Sequence, residues 1–457
     1  FATAGIVANV HLSPRFDFHR GFETWHLDPM AKAEVQVDRA LRWLEANRDR
    51  DTYLFLHLMD PHLFYDAPEP YRERFVVEPA PFVPEVFSRW QIYSWADQGL
   101  LTPKERAYVE ALYDGELAYL SHELERLFEG LEALGGNDLV VVHTDHGEEF
   151  WEHGGFEHNH TLYEELVRAA LWVRPPGGIE GGRRIDEPAV LADIAPTLYD
   201  YVGFEDVPPT DGRSLKPLID GLVPGGWERP VPIGHLMYDV EQWGVIEQGH
   251  KYLLSTSSGA ERLIDLAADP EEQRNLADQR DLTPFRSALA LAHGMPVGPG
   301  WRVRVTLTDP TPITWVLPQP CRGAGVIDPE AARRTRANLA WGEEPRLRPE
   351  DVATVTVSAD RRTLTITPGA HGEGVVWVMF DRDVPPGGQV RRGEEPLQLV
   401  DGVEGGAWAY IADASLRVHP GTVLDPPAGE AARMAVAEEA SEAELELLRT
   451  LGYLGDH

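Results

Sequence analysis

The polar residues that follow an apolar segment near residue 140 could bind a metal ion. Asp145 and His146 lie in the sequence TDHGEE directly after residues 138–143, and Gly147 permits a sharp turn there. A carboxylate and an imidazole side by side at the end of a strand can be two ligands of one divalent cation. The alternative is an ordinary junction between strand and loop, in which Asp145 caps the next element.

A second polar group, HLMDPH at residues 57–62, also lies where an apolar segment ends. The imidazole of His62 could protonate a leaving oxygen or bind an anion, because histidine titrates near neutral pH. His57 lies on the same strand face as Met59, so we interpret it as a core histidine with its hydrogen bonds satisfied.

A third segment is rich in imidazoles, which are those of His153, His158 and His160. Such a segment suggests contact with a metal ion or an oxyanion. The alternative is a solvated loop that leads into a helix with acidic residues in its first turn.

The spacing of apolar residues predicts the elements that position these groups. Short apolar segments at residues 1–10, 52–59 and 138–143 are typical of buried parallel strands. Residues 103–134 have apolar side chains three and four positions apart, which predicts an amphipathic helix or a pair of helices. This alternation predicts an α/β fold with a doubly wound, mostly parallel sheet, whose functional residues lie beyond the carboxyl ends of the strands.

The remaining patterns predict further parts of the chain. Two strand-like segments, WGVIEQ and KYLLST, are joined by Gly249 and His250 and predict a hairpin. We expect an α/β catalytic domain at residues 1–225, a small αβ subdomain at 226–296, a β-rich, sandwich-like accessory domain at 297–425, and an amphipathic C-terminal helix at 426–457.

The composition excludes several classes of protein. The 457 residues contain no apolar run near the roughly 18 residues that a membrane span needs, so we expect no span in this stretch. With 41 basic and 75 acidic residues, the net charge of −34 repels phosphate backbones, and nucleic acid is not an expected partner. The one cysteine, Cys321, excludes a disulfide framework within the chain.

Taken together, the polar groups favour one class of reaction. An aspartate and several histidines at one edge of an α/β sheet fit metal-assisted transfer or hydrolysis of an anionic ester. The sequence contains neither the GxGxxG nor the Walker motif that would indicate nucleotide chemistry.

These segments resemble the sulfatase family of the alkaline phosphatase superfamily. The resemblance covers most of residues 1–280 and the end of the chain, and it rests on LFLHLMDPHLFY, VVVHTDHGEEFWEHG, HNHTLYEELVRAALWVRPP, LADIAPTLYDYVG and LELLRTLGYL. It implies an alkaline-phosphatase-like fold and hydrolysis of the sulfate ester of a small molecule or carbohydrate at one divalent cation. Calcium is the first choice for that cation, with Mg²⁺, Mn²⁺ and Zn²⁺ as alternatives.

The resemblance also implies roles for individual residues. Asp145 and His146 match the family's later pair of metal ligands, and His62 matches the histidine that contacts the sulfate and assists the leaving group. His158 or His160 falls near the position of a sulfate-binding lysine. The spacing before Tyr163 leaves both histidines open.

The chain departs from the family at its start. Members begin with a strand that ends in two aspartates, followed by a C/S-x-P-x-R pattern whose Cys or Ser becomes formylglycine, the nucleophile. Neither feature occurs in this chain. We therefore expect an N-terminally truncated sulfatase that is inactive as it stands, with formylglycine in the complete protein and a central strand missing from the sheet. Many relatives are exported, which favours a periplasmic or extracellular location.

Two other functions remain open. One is a phosphodiesterase or phosphonate-ester hydrolase of the same superfamily, since an Asp–His pair serves phosphoryl transfer equally well. The other is a non-catalytic polysaccharide-binding protein. Its sugar platform would consist of tryptophans in the β-rich part, which we instead interpret as buried anchors: Trp301, Trp315, Trp377 and Trp408.

Overall fold

The structure is a computed structural model of the chain. It describes residues 1–76, 80, 83–84, 87–179, 182–222, 227–234, 242–255, 259–294, 297–306, 311–326, 353–369, 373–382, 384–385, 387–397, 399–401 and 416–424. The predicted helix at 426–457 and Trp408 lie outside these residues.

Strands and helices alternate over the first half of the chain. The strands are β1 (Ala2–Val7), β2 (Thr24–Leu27), β3 (Thr52–Leu56), β4 (Val140–His143), β5 (Glu149–Phe150), β6 (Phe156–Glu157) and β7 (Leu171–Arg174). The helices are α1 (Ala33–Ala46), α2 (Tyr71–Phe75), α3 (Arg89–Asp97), α4 (Pro103–Leu134), α5 (Glu164–Val167), α6 (Ile194–Val202) and α7 (Lys216–Ile219).

The second half is richer in strands. It contains β8 (Val231–Gly234), β9 (Gln242–Glu247), β10 (His250–Ser255), β11 (Glu261–Asp265), α8 (Thr283–His293), β12 (Val297–Thr306), β13 (Ile313–Val316), β14 (Gly323–Val326), β15 (Ala353–Val357), β16 (Thr363–Pro368), β17 (Glu373–Met379), β18 (Gln389–Arg392), β19 (Glu395–Leu397), β20 (Leu399–Asp401) and β21 (Leu416–Leu424).

A parallel sheet carries the first part of the fold and confirms the predicted α/β class. Strand β1 lies between β2 and β3, and both neighbours run parallel to it. The side chains of Ala4 and Ile6 in β1 are fully buried, as are Val37 and Ala40 on the inner face of α1. Apolar residues at three- to four-residue spacing thus place α1 against the sheet.

Strand β4 forms a separate antiparallel pair with β7. Among the described residues, β3 has β1 as its one sheet neighbour and β4 has β7. Both β3 and β4 are made of apolar residues, yet Val140, Val141 and Val142 are only half-buried.

The long helix α4 is a single element of 32 residues rather than a pair of helices. Thr102 caps its first turn with its hydroxyl, Pro103 is its first residue, and Gly135 ends it with a φ of 134°. Its buried side chains, including Val109 and Leu112, join a core that also holds α3 and the β5–β6 hairpin. The predicted limits of this helix are confirmed.

A four-stranded antiparallel sheet of β8 to β11 follows, and α8 packs against it. The turn between β9 and β10 consists of Gln248 and Gly249, both with positive φ, as a tight hairpin turn requires. His250 is the first residue of β10, so its assignment to the turn is wrong.

Strands β12 to β21 form two five-stranded sheets around one core. The rings of Trp301 and Trp315 stack there with centroids 5.3 Å apart and neither is exposed to solvent, while Trp377 is 6% exposed. Each of the first two indoles donates its N–H to a backbone carbonyl, that of Val384 or Gly387. These three tryptophans are buried anchors, which contradicts a sugar platform built on them. The four domain limits remain predictions.

None of the helices in the described part of the chain has the length and apolar character that a bilayer crossing requires.

Candidate active site

The segment after β3 is held in place by the first turn of α1. The Asp60 carboxylate accepts a hydrogen bond of 2.9 Å from the backbone N–H of Ala33, and the Lys32 ammonium lies 3.7 Å from the same carboxylate. Lys32, at the N-cap position of α1, makes no capping hydrogen bond with its own side chain. Asp60, in the segment after β3, accepts the hydrogen bond from the first turn of α1 instead. This anchor fixes the backbone two residues before His62.

The imidazole of His62 is oriented by its own backbone neighbour. Its Nδ1 lies 2.5 Å from the carbonyl oxygen of Leu63, and since that oxygen can only accept, Nδ1 carries a proton and Nε2 is the nitrogen that titrates. Burial lowers the pKa of His62 to about 4, and the nearby Arg89 guanidinium acts in the same direction. The ring is therefore neutral near pH 7 when no anion is bound.

Asp145 and His146 lie beyond the end of β4. The His146 Nε2 atom is 3.7 Å from a carboxylate oxygen of Asp145, whose side chain is 78% exposed. The His146 Nδ1 atom lies 2.7 Å from the Gly147 carbonyl oxygen, so Nδ1 carries the proton and Nε2 presents a lone pair. Gly147 is required here because a Cβ atom would collide with the carbonyl oxygen of Glu165.

The loop after β6 brings His158 into the same place. Its ring stacks on that of His146 with centroids 4.0 Å apart and meets the edge of the His62 ring at 5.6 Å. The Nδ1 atom lies 3.3 Å from a Glu148 carboxylate oxygen. Burial holds the pKa of His158 well below its usual range, and positive charge at His146 and Arg89 adds to this.

Two carboxylates and a guanidinium form the wall behind His158. Arg89, at the start of α3, pairs with Glu157, and both side chains are buried. Burial raises the pKa of Glu148 to about 8, although Arg89 opposes that rise. Glu157 has a φ of 69°, a left-handed conformation that is rare for a residue with a side chain and often occurs at functional sites. Neither Arg89 nor Glu148 was predicted from the sequence as a site residue; only the place of Glu148 in TDHGEE could have indicated it.

His160 and His153 do not join this group. The Nε2 atom of His160 lies 2.6 Å from Glu149, and its side chain is 2% exposed. The ring of His153 stacks on Tyr163 at 3.5 Å, and its Nδ1 atom lies 2.6 Å from Glu165. These contacts hold the loop together and leave His158 as the histidine of this segment that faces His62 and His146.

His57 differs from its expected role as a satisfied core histidine. Its Nδ1 atom is buried and has no hydrogen-bond partner among the described residues. Burial lowers the pKa of His57, while the charge of Asp145 opposes that effect. His57 therefore lies within electrostatic reach of Asp145.

Two sets of side chains could hold a metal ion. His62, Glu157 and His158 each present one ligand atom within 4.8 Å of the others, but Glu157 is already paired with Arg89. Asp145 and His146 present an exposed oxygen and an accepting nitrogen to the same space. The second pair fits a divalent cation better, because neither ligand atom would have to give up a buried ion pair.

Comparison with known proteins points to one family of enzymes. Residues 10–204 match the family model Sulfatase, and residues 151–292 match the model N-sulphoglucosamine sulphohydrolase, C-terminal. The chain is 26% identical over 189 residues to an arylsulfatase of Clostridium perfringens, which covers 40% of this chain and 39% of the relative. It is 29% identical over 189 residues to an N-acetylglucosamine-6-O-sulfatase of Bacteroides thetaiotaomicron, which covers 39% of this chain and 34% of the relative.

A solved structure has the same fold. It is that of a protein in complex with its substrate D-glucosamine-2-N,6-O-disulfate, and it superposes with a TM-score of 0.54 at 17% identity, covering 64% of this chain and 79% of the other. Residues 10–204 therefore belong to the sulfatase family by their match to its model, and the fold is α/β and alkaline-phosphatase-like. It spans 39% of the first of these curated relatives and 34% of the second.

Proposed function

We propose that the complete protein containing this chain hydrolyses sulfate esters with the help of one divalent cation, calcium being the first choice. The observation that carries the proposal is the convergence of His62, His146 and His158 beside Asp145, beyond the ends of β3 and β4. The substrate class, a sulfated carbohydrate or small molecule, is supported by the N-acetylglucosamine-6-O-sulfatase relative and by the solved complex with a disulfated glucosamine.

Asp145 and His146 would hold the cation. A divalent cation at that place supplies positive charge that stabilises the oxygens of a sulfate group. His146 keeps its accepting Nε2 because Gly147 fixes the proton on Nδ1. The orientation of this ligand is thus a property of the turn after β4.

His158 and His62 would act on the ester itself. We assign the sulfate contact to His158 rather than His160, because the His158 ring lies against those of His146 and His62, whereas His160 is bonded to Glu149. His62 would give a proton from Nε2 to the oxygen of the leaving alcohol as the sulfur–oxygen bond breaks. A bound sulfate ester raises the pKa of His62 from about 4, since a nearby negative charge favours the protonated ring.

The nucleophile is the part of the proposal that residues 1–457 do not supply. Neither adjacent aspartates after a strand nor the C/S-x-P-x-R pattern occurs in them. We therefore propose that formylglycine is provided by a segment of the complete protein outside these residues, and that this chain alone does not turn over substrate. An exported location remains part of the same proposal.

The test is an assay of the complete protein with 4-nitrophenyl sulfate and, in parallel, a phosphonate monoester. We expect turnover of the sulfate ester that is lost on chelation and restored by Ca²⁺. The Asp145→Ala variant should contain less metal by elemental analysis, and His62→Ala should lower kcat by about 100- to 10,000-fold through loss of the general acid. His26→Ala, which changes an exposed histidine of β2, is the control. Unchanged metal content in Asp145→Ala, or turnover of the phosphonate ester alone, would overturn the proposal.

A further inference from the structure

A buried lysine of the small sheet holds the loop that carries His158. The Lys251 side chain on β10 is fully buried, and its ammonium donates a hydrogen bond of 2.9 Å to the carbonyl oxygen of Leu162. The side chain of Leu162 is itself buried against Leu253 of the same strand. Strand β10 therefore holds the backbone at Leu162, four residues after His158, through the hydrogen bond from Lys251 and the apolar contact with Leu253.

Two carboxylates complete the surroundings of Lys251. Glu272 is fully buried with an oxygen 2.8 Å from the ammonium, and Glu164, at the start of α5, has one at 2.9 Å. Glu272 also accepts a hydrogen bond of 2.5 Å from the backbone N–H of Glu164. Its φ of 53° places it in the left-handed region, so this backbone is held in an unfavourable conformation by its contacts.

A second layer of contacts joins the same two segments. Arg262 on β11 donates to the Tyr163 hydroxyl and also, at 3.4 Å, to the Glu272 carbonyl oxygen. His153, which stacks on Tyr163, has its Nε2 atom 3.3 Å from the Gln273 amide. Side chains from β10, β11 and the segment after β11 thus all contact residues 162–164.

Such an arrangement is not needed for stability alone. Removing two buried charges from water is costly, and a buried ion pair can often be replaced by neutral groups without loss of folding free energy. What apolar side chains would not reproduce is the hydrogen bond from the ammonium to the Leu162 carbonyl oxygen, which fixes the position of the loop against β10.

We propose that Lys251 is a positioning residue of the active site, which acts through the Leu162 carbonyl oxygen and Glu272 to hold His158 against His146 and His62. The inference rests on the proposed function in one respect, the role of His158 as the sulfate contact. It adds a role for the small sheet, because the geometry of the site depends on a side chain from β10.

The experiment compares three variants of the complete protein. Lys251→Met removes the ammonium but keeps an unbranched side chain of similar length. Lys251→Met/Glu272→Gln also removes the buried carboxylate that the single variant leaves unpaired. Lys216→Met, which breaks the ion pair with Asp220 on the surface of α7, is the matched control. The measurements are Tm, kcat and KM for 4-nitrophenyl sulfate, the Kd for inorganic sulfate with Ca²⁺ present, and a crystal structure.

We expect Lys251→Met to lower both Tm and kcat, with kcat reduced by up to about 100-fold, because displacement of a catalytic group by about 1 Å has that effect. The double variant should recover Tm but not kcat, since the Leu162 carbonyl oxygen still lacks its donor. The same variant should bind sulfate more weakly than the wild type, and Lys216→Met should match the wild type in both kcat and Kd.

Recovery of kcat together with Tm in the double variant would show that Lys251 acts on stability alone and would overturn the inference. Failure of the proposed function gives a different result, namely a wild-type protein that does not hydrolyse sulfate esters. In that case the crystal structure decides: a His158 ring displaced from its 4.0 Å stacking on His146 supports positioning, and an unmoved ring overturns it.

Discussion

The histidines near the site differ in what their ring nitrogens contact. His62 and His146 each place Nδ1 against a backbone carbonyl oxygen and turn Nε2 toward the site. His160 instead places Nε2 against the buried carboxylate of Glu149. In His160 the second nitrogen, Nδ1, is also buried, whereas the rings of His62 and His146, fixed by carbonyl oxygens, keep Nε2 for chemistry.

This difference predicts opposite effects of two neighbouring substitutions. His160→Ala should lower the free energy of unfolding by about 2 kcal/mol, because Glu149 loses a charge-assisted hydrogen bond in a buried place, while kcat changes little. His158→Ala should lower kcat by about 100-fold or more, as the loss of one group that stabilises developing charge does. Urea unfolding and steady-state kinetics of both variants test this, and a larger kcat effect from His160→Ala would contradict the assignment.

The buried carboxyl of Glu148 predicts a pH dependence of stability in the metal-free protein. Its pKa is raised from an ordinary 4.5 to about 8 by burial, so between those values the unfolded chain has lost the proton and the folded chain retains it. The protonated Glu148 carboxyl therefore stabilises the folded state fully below pH 4.5, and this stabilisation is lost as pH rises through 8. Over that range the free energy of unfolding falls by up to about 1.4 kcal/mol per pH unit.

Glu148→Gln should remove the contribution of this carboxyl, so that the free energy of unfolding falls less steeply as pH rises. Urea unfolding of chelator-treated protein at intervals from pH 4.5 to 8 measures it. Glu152→Gln, at an exposed glutamate in the turn after β5, should keep the slope of the wild type. Equal slopes in all three proteins would show that Glu148 is not the group responsible.

Helix α1 acts on the site through its first turn. Asp60 accepts from the first N–H of α1, and Lys32 and Glu116 surround the carboxylate, with the ammonium 3.1 Å from Glu116. Burial raises the pKa of Glu116 to about 8, and Lys32 opposes that rise. This cluster ties the segment after β3 and the start of α1 to the middle of α4, immediately before His62.

Two cap variants should therefore differ in activity but not in stability. Asp60→Ala and Thr102→Ala each remove an N-cap, of α1 and α4 respectively, and each should cost about 1 kcal/mol of folding free energy. Only Asp60→Ala should also lower kcat, because His62 lies two residues away. Chemical unfolding and kinetics measured side by side check this; equal kcat values in the two variants would remove Asp60 from the positioning of His62.

The strands of the first half of the chain do not form one continuous sheet in the described residues: β1, β2 and β3 form one sheet, and β4 and β7 form another. In the described part of the chain, β3 and β4 each have one sheet neighbour, although both are apolar. Trp172 on β7 is 63% exposed and Phe204 after α6 is 53% exposed. Unpaired strand edges beside exposed apolar side chains favour association with other chains.

A polypeptide of residues 1–457 alone should therefore be weakly cooperative in thermal unfolding and prone to aggregate. Differential scanning calorimetry and size-exclusion chromatography of that polypeptide measure both properties. A monomer that unfolds in one sharp transition at about 45 to 65 °C would contradict this expectation.

Features that depend on short stretches of chain were predictable from the sequence. The limits of α4 follow from Thr102, Pro103 and Gly135, which cap, start and end a helix wherever it packs. The strands before His62 and Asp145 follow from apolar runs. The rule for parallel sheets accounts for the place of His62 beyond β3, but the prediction of a parallel strand before Asp145 is wrong, because β4 pairs antiparallel with β7. Helix caps and apolar runs are local properties, so they were predictable without knowledge of the packing.

Which side chains are in contact could not be predicted from the sequence and depends on how the chain folds. Arg89 and Glu157 are 68 residues apart in the chain, and Glu164 and Glu272 are 108 apart, yet each pair is in contact. His158 and His160 differ by two positions and have the same chemistry, so spacing could not separate them. Their environments differ because His158 contacts Glu148 and the ring of His62, which comes from a distant part of the chain, whereas His160 contacts Glu149.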